Sequence, residues 1–361
     1  MVYNIKYGVE EMRLEINHFN IFLIVFVTFL ASYLLVYLMR IIAPYFNFLD
    51  MPNSKRKIHS KPIPTLGGVG IFLSFLLGYM LFANENTLMI SILIASFLIL
   101  LLGIFDDIKP IPAKYKFIVH IIIASIVVYY GGLTLDRAEI FGYVFEFKKL
   151  APIISIVIIV STINAINLID GMDGLCGGIS SIYFLTISII SIVLNKMGGL
   201  DILLSLLMLG STLGFLVHNF PPAKIFMGDT GSTFLGLMIS IIALLGFKTL
   251  TLTSLVIPLL ILTFPIMDTL FAIIRRRLKG KPIGEADRDH LHHQLLKLKF
   301  SKKTSILIIY FINIIFSLTT ILYSLGYKDE MIVCYIFIVF MVLFLVFKTD
   351  ILFEHNKKEA K

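Results

Sequence analysis

The sequence predicts an all-α polytopic integral membrane protein of about eleven transmembrane helices, with the N-terminus outside and the C-terminus cytosolic. Three observations predict it. Of 361 residues, 58% are hydrophobic and only 15% charged, too little polar surface for a soluble domain of this size. Apolar runs near the roughly 20 residues that a bilayer core requires recur between short polar stretches. Lys and Arg gather in alternate stretches.

The apolar runs are 19–41, 66–83, 87–105, 117–134, 151–168, 175–194, 200–217, 232–247, 251–274, 305–325 and 331–348. In hydrocarbon only helices or closed barrels satisfy the backbone, and runs this evenly apolar predict helices. The first run follows a charged start (Lys6, Glu10, Glu11, Arg13, Glu15). It shows no small-residue cleavage site, so a retained helix is expected. The two cysteines, Cys176 and Cys334, suggest neither a disulfide framework nor a metal site. The segment 135–150 falls outside and carries a stretch, Ile140–Phe147, suited to a small hairpin.

Orientation follows from the cations. With the N-terminus outside, the cytosolic set holds Arg40, Lys55, Arg56, Lys57, Lys61, Lys109, Lys114, Lys116 and Lys224, the basic run of 275–303, and the tail lysines. This is the positive-inside bias. It accounts for the net charge of +8 without nucleic acid. The chain forms a single transmembrane domain over 1–361, with a basic, His-bearing loop at 275–303 and a polar tail at 349–361. Five polar stretches share the cytosolic side: 47–65, 106–116, 164–174, 218–232 and 275–303.

Asp106-Asp107 ends the third run. Adjacent carboxylates at a membrane boundary are costly; they suit a divalent cation or a proton acceptor, against the plainer reading of a solvated loop start. Lys114 and Lys116 follow where phosphate oxygens would meet them, though topology alone would also place lysines there. Asn164, Asn167, Asp170 and Asp173 recur every three residues, one polar stripe at the end of an apolar span. Gly171 and Gly174 let the backbone turn there. A calcium loop is excluded by the spacing and the missing terminal Glu. Four aligned amides and carboxylates exceed what a helix-ending turn needs.

His218-Asn219-Phe220-Pro221-Pro222 leads to Phe226-Met227-Gly228-Asp229-Thr230-Gly231-Ser232. The prolines break the helix. The glycines around Asp229 predict a loop offering a carboxylate and backbone N–H groups at a helix start, which favours phosphate. A plain cap by Thr230 or Ser232 is the simpler alternative. In the 275–303 loop, Asp287-Arg288-Asp289-His290-Leu291-His292-His293 lacks the ligand set of a tetrahedral zinc site. Its histidines suit hydrogen bonds to a sugar or diphosphate, and Arg288 suits phosphate. Arg275–Arg277 are read as topogenic charge. The loop 52–68 holds His59 among Lys55, Arg56, Lys57 and Lys61; anionic lipid attraction explains its charge, and a lipid-phosphate site is the sharper alternative.

These residues together resemble the polyprenyl-phosphate N-acetylhexosamine-1-phosphate transferase family, from about Asp50 to Leu296. Asp-Arg-Asp-His-Leu-His-His-Gln-Leu and Phe-Met-Gly-Asp-Thr-Gly-Ser resemble its GlcNAc-1-phosphate branch. The peptidoglycan branch tends to three consecutive histidines, which Leu291 interrupts here. The resemblance implies Mg²⁺-dependent transfer (Mn²⁺ as a substitute) of N-acetylhexosamine 1-phosphate from a UDP-sugar to polyprenyl phosphate with release of UMP. It implies a plasma (inner) membrane location with the site on the cytosolic face, and membrane lipid as surroundings. Dimerisation is common in the family, so a homodimer is a further expectation.

By the same resemblance Asp229 is a Mg²⁺ ligand, with Asp107 assigned beside it, and Asp106 and Asp107 are the acidic pair beside the attacking phosphate. Lys116 is their basic partner. Asn219, Phe226 and Asp173 lie near the nucleotide, with Phe226 stacking on uracil, and His290, His292 and His293 lie near the sugar phosphate. Asn164, Asn167, Asp170, Arg288 and His59 complete the expected substrate contacts. Two alternatives stand beside this reading: the same reaction on another UDP-sugar such as UDP-MurNAc-pentapeptide, and a secondary transporter. A transporter places ionisable groups near the midplane; here they gather at one face, with Asp268 the deepest exception.

Overall fold

The computed structural model describes residues 18–52, 62–140, 143–194, 198–248, 263–278, 295–296 and 298–348. Among them the chain is helical: α1 His18–Ile42, α2 Gly67–Phe82, α3 Thr87–Ile108, α4 Ala113–Ser125 prolonged by a π-helical turn Ile126–Tyr130, α5 Ala151–Ile169, α6 Leu175–Val193, α7 Leu200–Asn219, α8 Gly228–Lys248, α9 Thr263–Leu278, α10 Lys302–Ser324 and α11 Lys328–Lys348. Eight described helices are long and apolar enough to cross a membrane. α2 is apolar but only 16 residues long, short of a full span. The all-α polytopic reading therefore holds.

Helix starts follow local chemistry. Asn86 caps α3, its side-chain oxygen accepting from Met89 N–H at 2.8 Å. Ser301 caps α10 by accepting from Thr304 N–H at 3.1 Å. Two short antiparallel ladders join the helices: β1 Leu49–Asp50 with β2 Ile63–Pro64, and β3 Arg137–Ile140 with β4 Tyr143–Glu146. The second overlaps the hairpin expected at Ile140–Phe147 but begins three residues earlier, at Arg137. Lys328 at the start of α11 reaches Glu139 of that hairpin at 3.2 Å.

α8 is the axis of the bundle. Its span is 89% buried inside the protein, against 22% for the first span. It packs against α2, α3, α5, α6 and α7, while α1 and α4 show large apolar side chains such as Phe22, Leu34, Phe117 and Ile122 on the outside. α8 also begins earlier than the hydropathy suggested, at Gly228 rather than residue 232. That shift moves Asp229 out of a loop and into the first turn of the central helix. Polarity hid this start, because the first turn of α8 is a polar cluster rather than an apolar run.

Candidate active site

The α3–α4 junction builds one half of the site. Asp106 and Asp107 sit in the last turn of α3. Pro110 and Pro112 carry no backbone N–H, so Ile111 donates from this turn, to Asp106 Oδ1 at 2.6 Å. The chain folds back into α4, and the Lys116 ammonium reaches Asp106 Oδ2 at 2.9 Å. The same ammonium lies 2.9 Å from Asp229 Oδ2. From α5, the Asn167 amide donates to Asp229 Oδ1 at 3.1 Å and to Ser232 Oγ at 2.9 Å. Four helices thus meet at one lysine, two carboxylates and an amide. The Asp106 side chain is 9% exposed and that of Asp229 32%, so Asp229 is the acid a ligand reaches.

Asp107 points elsewhere. Its Oδ1 accepts from Asp229 N–H at 2.8 Å, and its Oδ2 accepts from the Thr230 hydroxyl at 2.7 Å and Thr230 N–H at 3.3 Å. The simple cap expected from Thr230 or Ser232 is replaced by this one. Thr230 is spent donating to Asp107, and the Ser232 hydroxyl donates to Gly228 O at 3.2 Å.

The Asn/Asp stripe divides in the structure. Asn167 joins the centre. Asn164 donates to Val160 O at 2.7 Å and lies 3.5 Å from His120 Nδ1. Asp170, half-buried at the end of α5, is pushed up to about 8 by burial and by the charges of Asp229, Asp107 and Asp173. Asp173 accepts from Ala223 N–H at 3.2 Å and pairs with Lys302 at 3.5 Å. Asn219 braces two loops, accepting from Gly174 N–H at 2.8 Å and donating to Ile225 O at 2.8 Å. Phe226 is half-buried, and its backbone is tied to Pro64 and Gly67 at 2.8 and 2.9 Å.

His59, Arg288, His290, His292 and His293 lie outside the described residues. Arg276, read as topogenic charge, is buried. His120, 3% exposed and one turn beyond Lys116, carries one mark in the sequence, that of an ionisable residue within an apolar run. The Tyr310 hydroxyl donates to Gly174 O, and nothing local in the sequence marks that tyrosine.

Among the described residues no three His, Cys, Asp or Glu side chains converge as a ready-made metal cage. That does not conflict with magnesium, which is usually held by one or two carboxylates together with substrate phosphates and water. The accessible Asp229 carboxylate fits such a role. Burial is the first cause of the lift of Asp170 and the charges of Asp229, Asp107 and Asp173 add to it; a divalent cation would relieve that second part.

Residues 89–247 match the profile of glycosyl transferase family 4. A probable undecaprenyl-phosphate N-acetylglucosaminyl 1-phosphate transferase of Bacillus subtilis is 40% identical over 298 residues, 81% of this chain and 82% of the relative. The chain belongs to glycosyl transferase family 4. An undecaprenyl-phosphate alpha-N-acetylglucosaminyl 1-phosphate transferase of Haemophilus influenzae is 32% identical over 336 residues, covering 90% of this chain and 92% of its own length. A decaprenyl-phosphate N-acetylglucosaminephosphotransferase of Mycolicibacterium smegmatis is 29% identical over 302 residues, 75% and 74% of the two chains. Membership sets the transporter alternative aside. The segment matched to the family 4 profile contains Asp106, Asp107, Lys116, Asn167 and Asp229, so the whole lysine–carboxylate centre lies within it.

Proposed function

We propose that this family 4 enzyme transfers N-acetylglucosamine 1-phosphate from UDP-N-acetylglucosamine to a polyprenyl phosphate such as undecaprenyl phosphate and releases UMP. The reaction would take place at the cytosolic face of the plasma membrane and begin a cell-envelope glycan such as lipopolysaccharide or teichoic acid. The observation that carries the reading is the Lys116 ammonium held between Asp106 and Asp229, at 2.9 Å from each. A phosphoryl transfer between two anionic substrates needs positioned charge more than covalent chemistry. The printed names of the relatives supply the sugar and the carrier.

Lys116 offers a compact cation to phosphate oxygens. Asp106 orients it and has no need to act as a strong base. A phosphate monoester with second pKa near 6 is already mostly dianionic at about pH 7, so an acceptor oxygen is nucleophilic without losing a further proton. Ile111 N–H and Lys116 together hold the Asp106 carboxylate in place. Asn167 fixes the rotamer of Asp229 and leaves that acid its accessible edge. Asp229 would hold Mg²⁺ together with diphosphate oxygens of the donor, and the ion would neutralise charge developing on the leaving UMP. Mn²⁺ is the expected substitute. Asp170 and Asp173, with Phe226 and the loop braced by Asn219, are assigned to the nucleotide side.

The test is transfer of radiolabel from UDP-[³H]GlcNAc into lipid by the purified protein with undecaprenyl phosphate, with and without Mg²⁺. Metal-dependent labelled lipid with release of UMP, abolished in Asp229→Asn, is the expected result. A folded preparation that labels lipid only from another UDP-sugar would overturn the choice of donor. One that labels lipid equally well after chelation would overturn the metal.

A further inference from the structure

We propose that Asp107 is a positioning residue, a helix cap that α3 supplies to α8, and that it is not a ligand of the divalent cation. The inference rests on the transferase reading above but assigns Asp107 a different role from its neighbour.

The start of α8 has a deficit that its own sequence does not fill. The first N–H groups of a helix lack intrahelical partners, and a preceding Ser, Thr, Asp or Asn usually accepts from them. Here the residue before Gly228 is Met227, whose side chain has no oxygen to accept from them. Asp107 fills the gap from another helix, accepting from the N–H groups of Asp229 and Thr230 and from the Thr230 hydroxyl. Both carboxylate oxygens are engaged. A negative charge is favoured at this helix end.

The surrounding backbone is shaped to the cap. Gly228 sits at φ +69, and a Cβ on it would run into the Asp107 carboxylate. Gly103, one turn earlier on α3, lies so close to Thr230 that a Cβ would overlap the threonine backbone. Adjacent residues of a helix point about 100° apart. Asp106 can therefore face Lys116 while Asp107 faces α8. The product of this junction is the location of Asp229: its backbone N–H is held by Asp107 at 2.8 Å while its carboxylate meets Lys116 at 2.9 Å.

The experiment compares D107N, T230V, the double variant and D229N in the full-length protein in detergent. It reads the transfer rate, Mn²⁺ binding by electron paramagnetic resonance with UDP-N-acetylglucosamine and no acceptor lipid, and the metal-free melting temperature. T230V removes one cap donor and leaves every carboxylate intact. It is expected to lower kcat about fivefold, and D107N, whose amide presents a donor to donors, at least about tenfold. Both lower the metal-free melting temperature. The double variant falls no further than D107N, because the two groups share one contact. Mn²⁺ binding in D107N stays within about twofold of wild type while D229N loses it. Loss of Mn²⁺ binding in D107N to the same extent as in D229N would overturn the assignment, as would a T230V protein matching wild type in both rate and melting temperature. If D107N does not fold, T230V decides alone. If D229N also keeps Mn²⁺, the magnesium assignment fails, and the T230V rate and melting temperature still settle the cap.

Discussion

Lys116 and Asp229, 113 residues apart in the chain, meet at 2.9 Å across α4 and α8. The same ammonium holds Asp106, so one side chain joins the two helices that carry the acids. Lys116→Met is expected to lower transfer by about a hundredfold or more, the scale at which loss of a preorganised electrostatic contact is felt. Lys116→Arg keeps the charge but exchanges a point cation for a planar fork, and is expected to recover part of that loss. Single-turnover rates with radiolabelled donor measure both; equal activity of Lys116→Met and wild type would exclude the lysine from the chemistry.

Asn167 is the only amide of the predicted stripe that touches Asp229 among the described residues. Asn167→Ala removes a hydrogen bond to a charged group, about 1.5–3 kcal/mol, and is expected to lower kcat roughly tenfold or more. Asn164→Ala, one turn away and bonded to Val160 O, is expected to change kcat less. Steady-state kinetics on the pair check the order.

The acids, the lysine and the Asn/Asp stripe were legible in the sequence because ionisable groups in apolar surroundings are costly and stand out. Partnership was not legible. Asp106 and Asp107 are adjacent and look equivalent as letters, yet one faces Lys116 and the other α8. The start of α8 was misplaced by four residues because hydropathy marks where apolar residues begin, and Gly228–Ser232 is polar though helical. The burial of His120 and Arg276 was not legible because burial of a single side chain depends on which helices surround it, and that is a tertiary property.

Asp170 gives a pH signature. An unfolded aspartate titrates near 3.9, and in the folded chain burial and neighbouring acids push Asp170 up to about 8. Between these values the unfolded chain gives up the proton while the folded chain keeps it. The contribution of Asp170 to metal-free stability is therefore fully present below about pH 4 and is lost as pH rises toward about 8. Asp170→Asn is expected to raise the melting temperature in chelator at about pH 8, with the gain shrinking toward about pH 5. A gain independent of pH would exclude the titration of Asp170 as its cause.

Gly103→Ala tests the close approach of α3 to α8. The added methyl meets the Thr230 backbone, and overpacking of this kind costs about 1–3 kcal/mol. The expected result is a lower melting temperature together with a lower transfer rate, since the displaced turn carries Asp229. Unchanged values in both assays would show that the helices separate there without consequence.

The double engagement of Lys116 bears on how the enzyme responds to its ionic surroundings. Two carboxylates share one ammonium, so the resting centre largely supplies its own counter-ion. In the proposed reaction Lys116 would trade aspartate oxygens for phosphate oxygens, and the released edge of Asp229 would become free as the donor arrives. The two carboxylates stay in place through this exchange, so each entering phosphate adds negative charge to a centre that already holds two acids for one cation. Capture of the donor should accordingly depend on an accompanying divalent cation more than on ionic strength, unlike capture by an open basic patch, which salt suppresses over a Debye length.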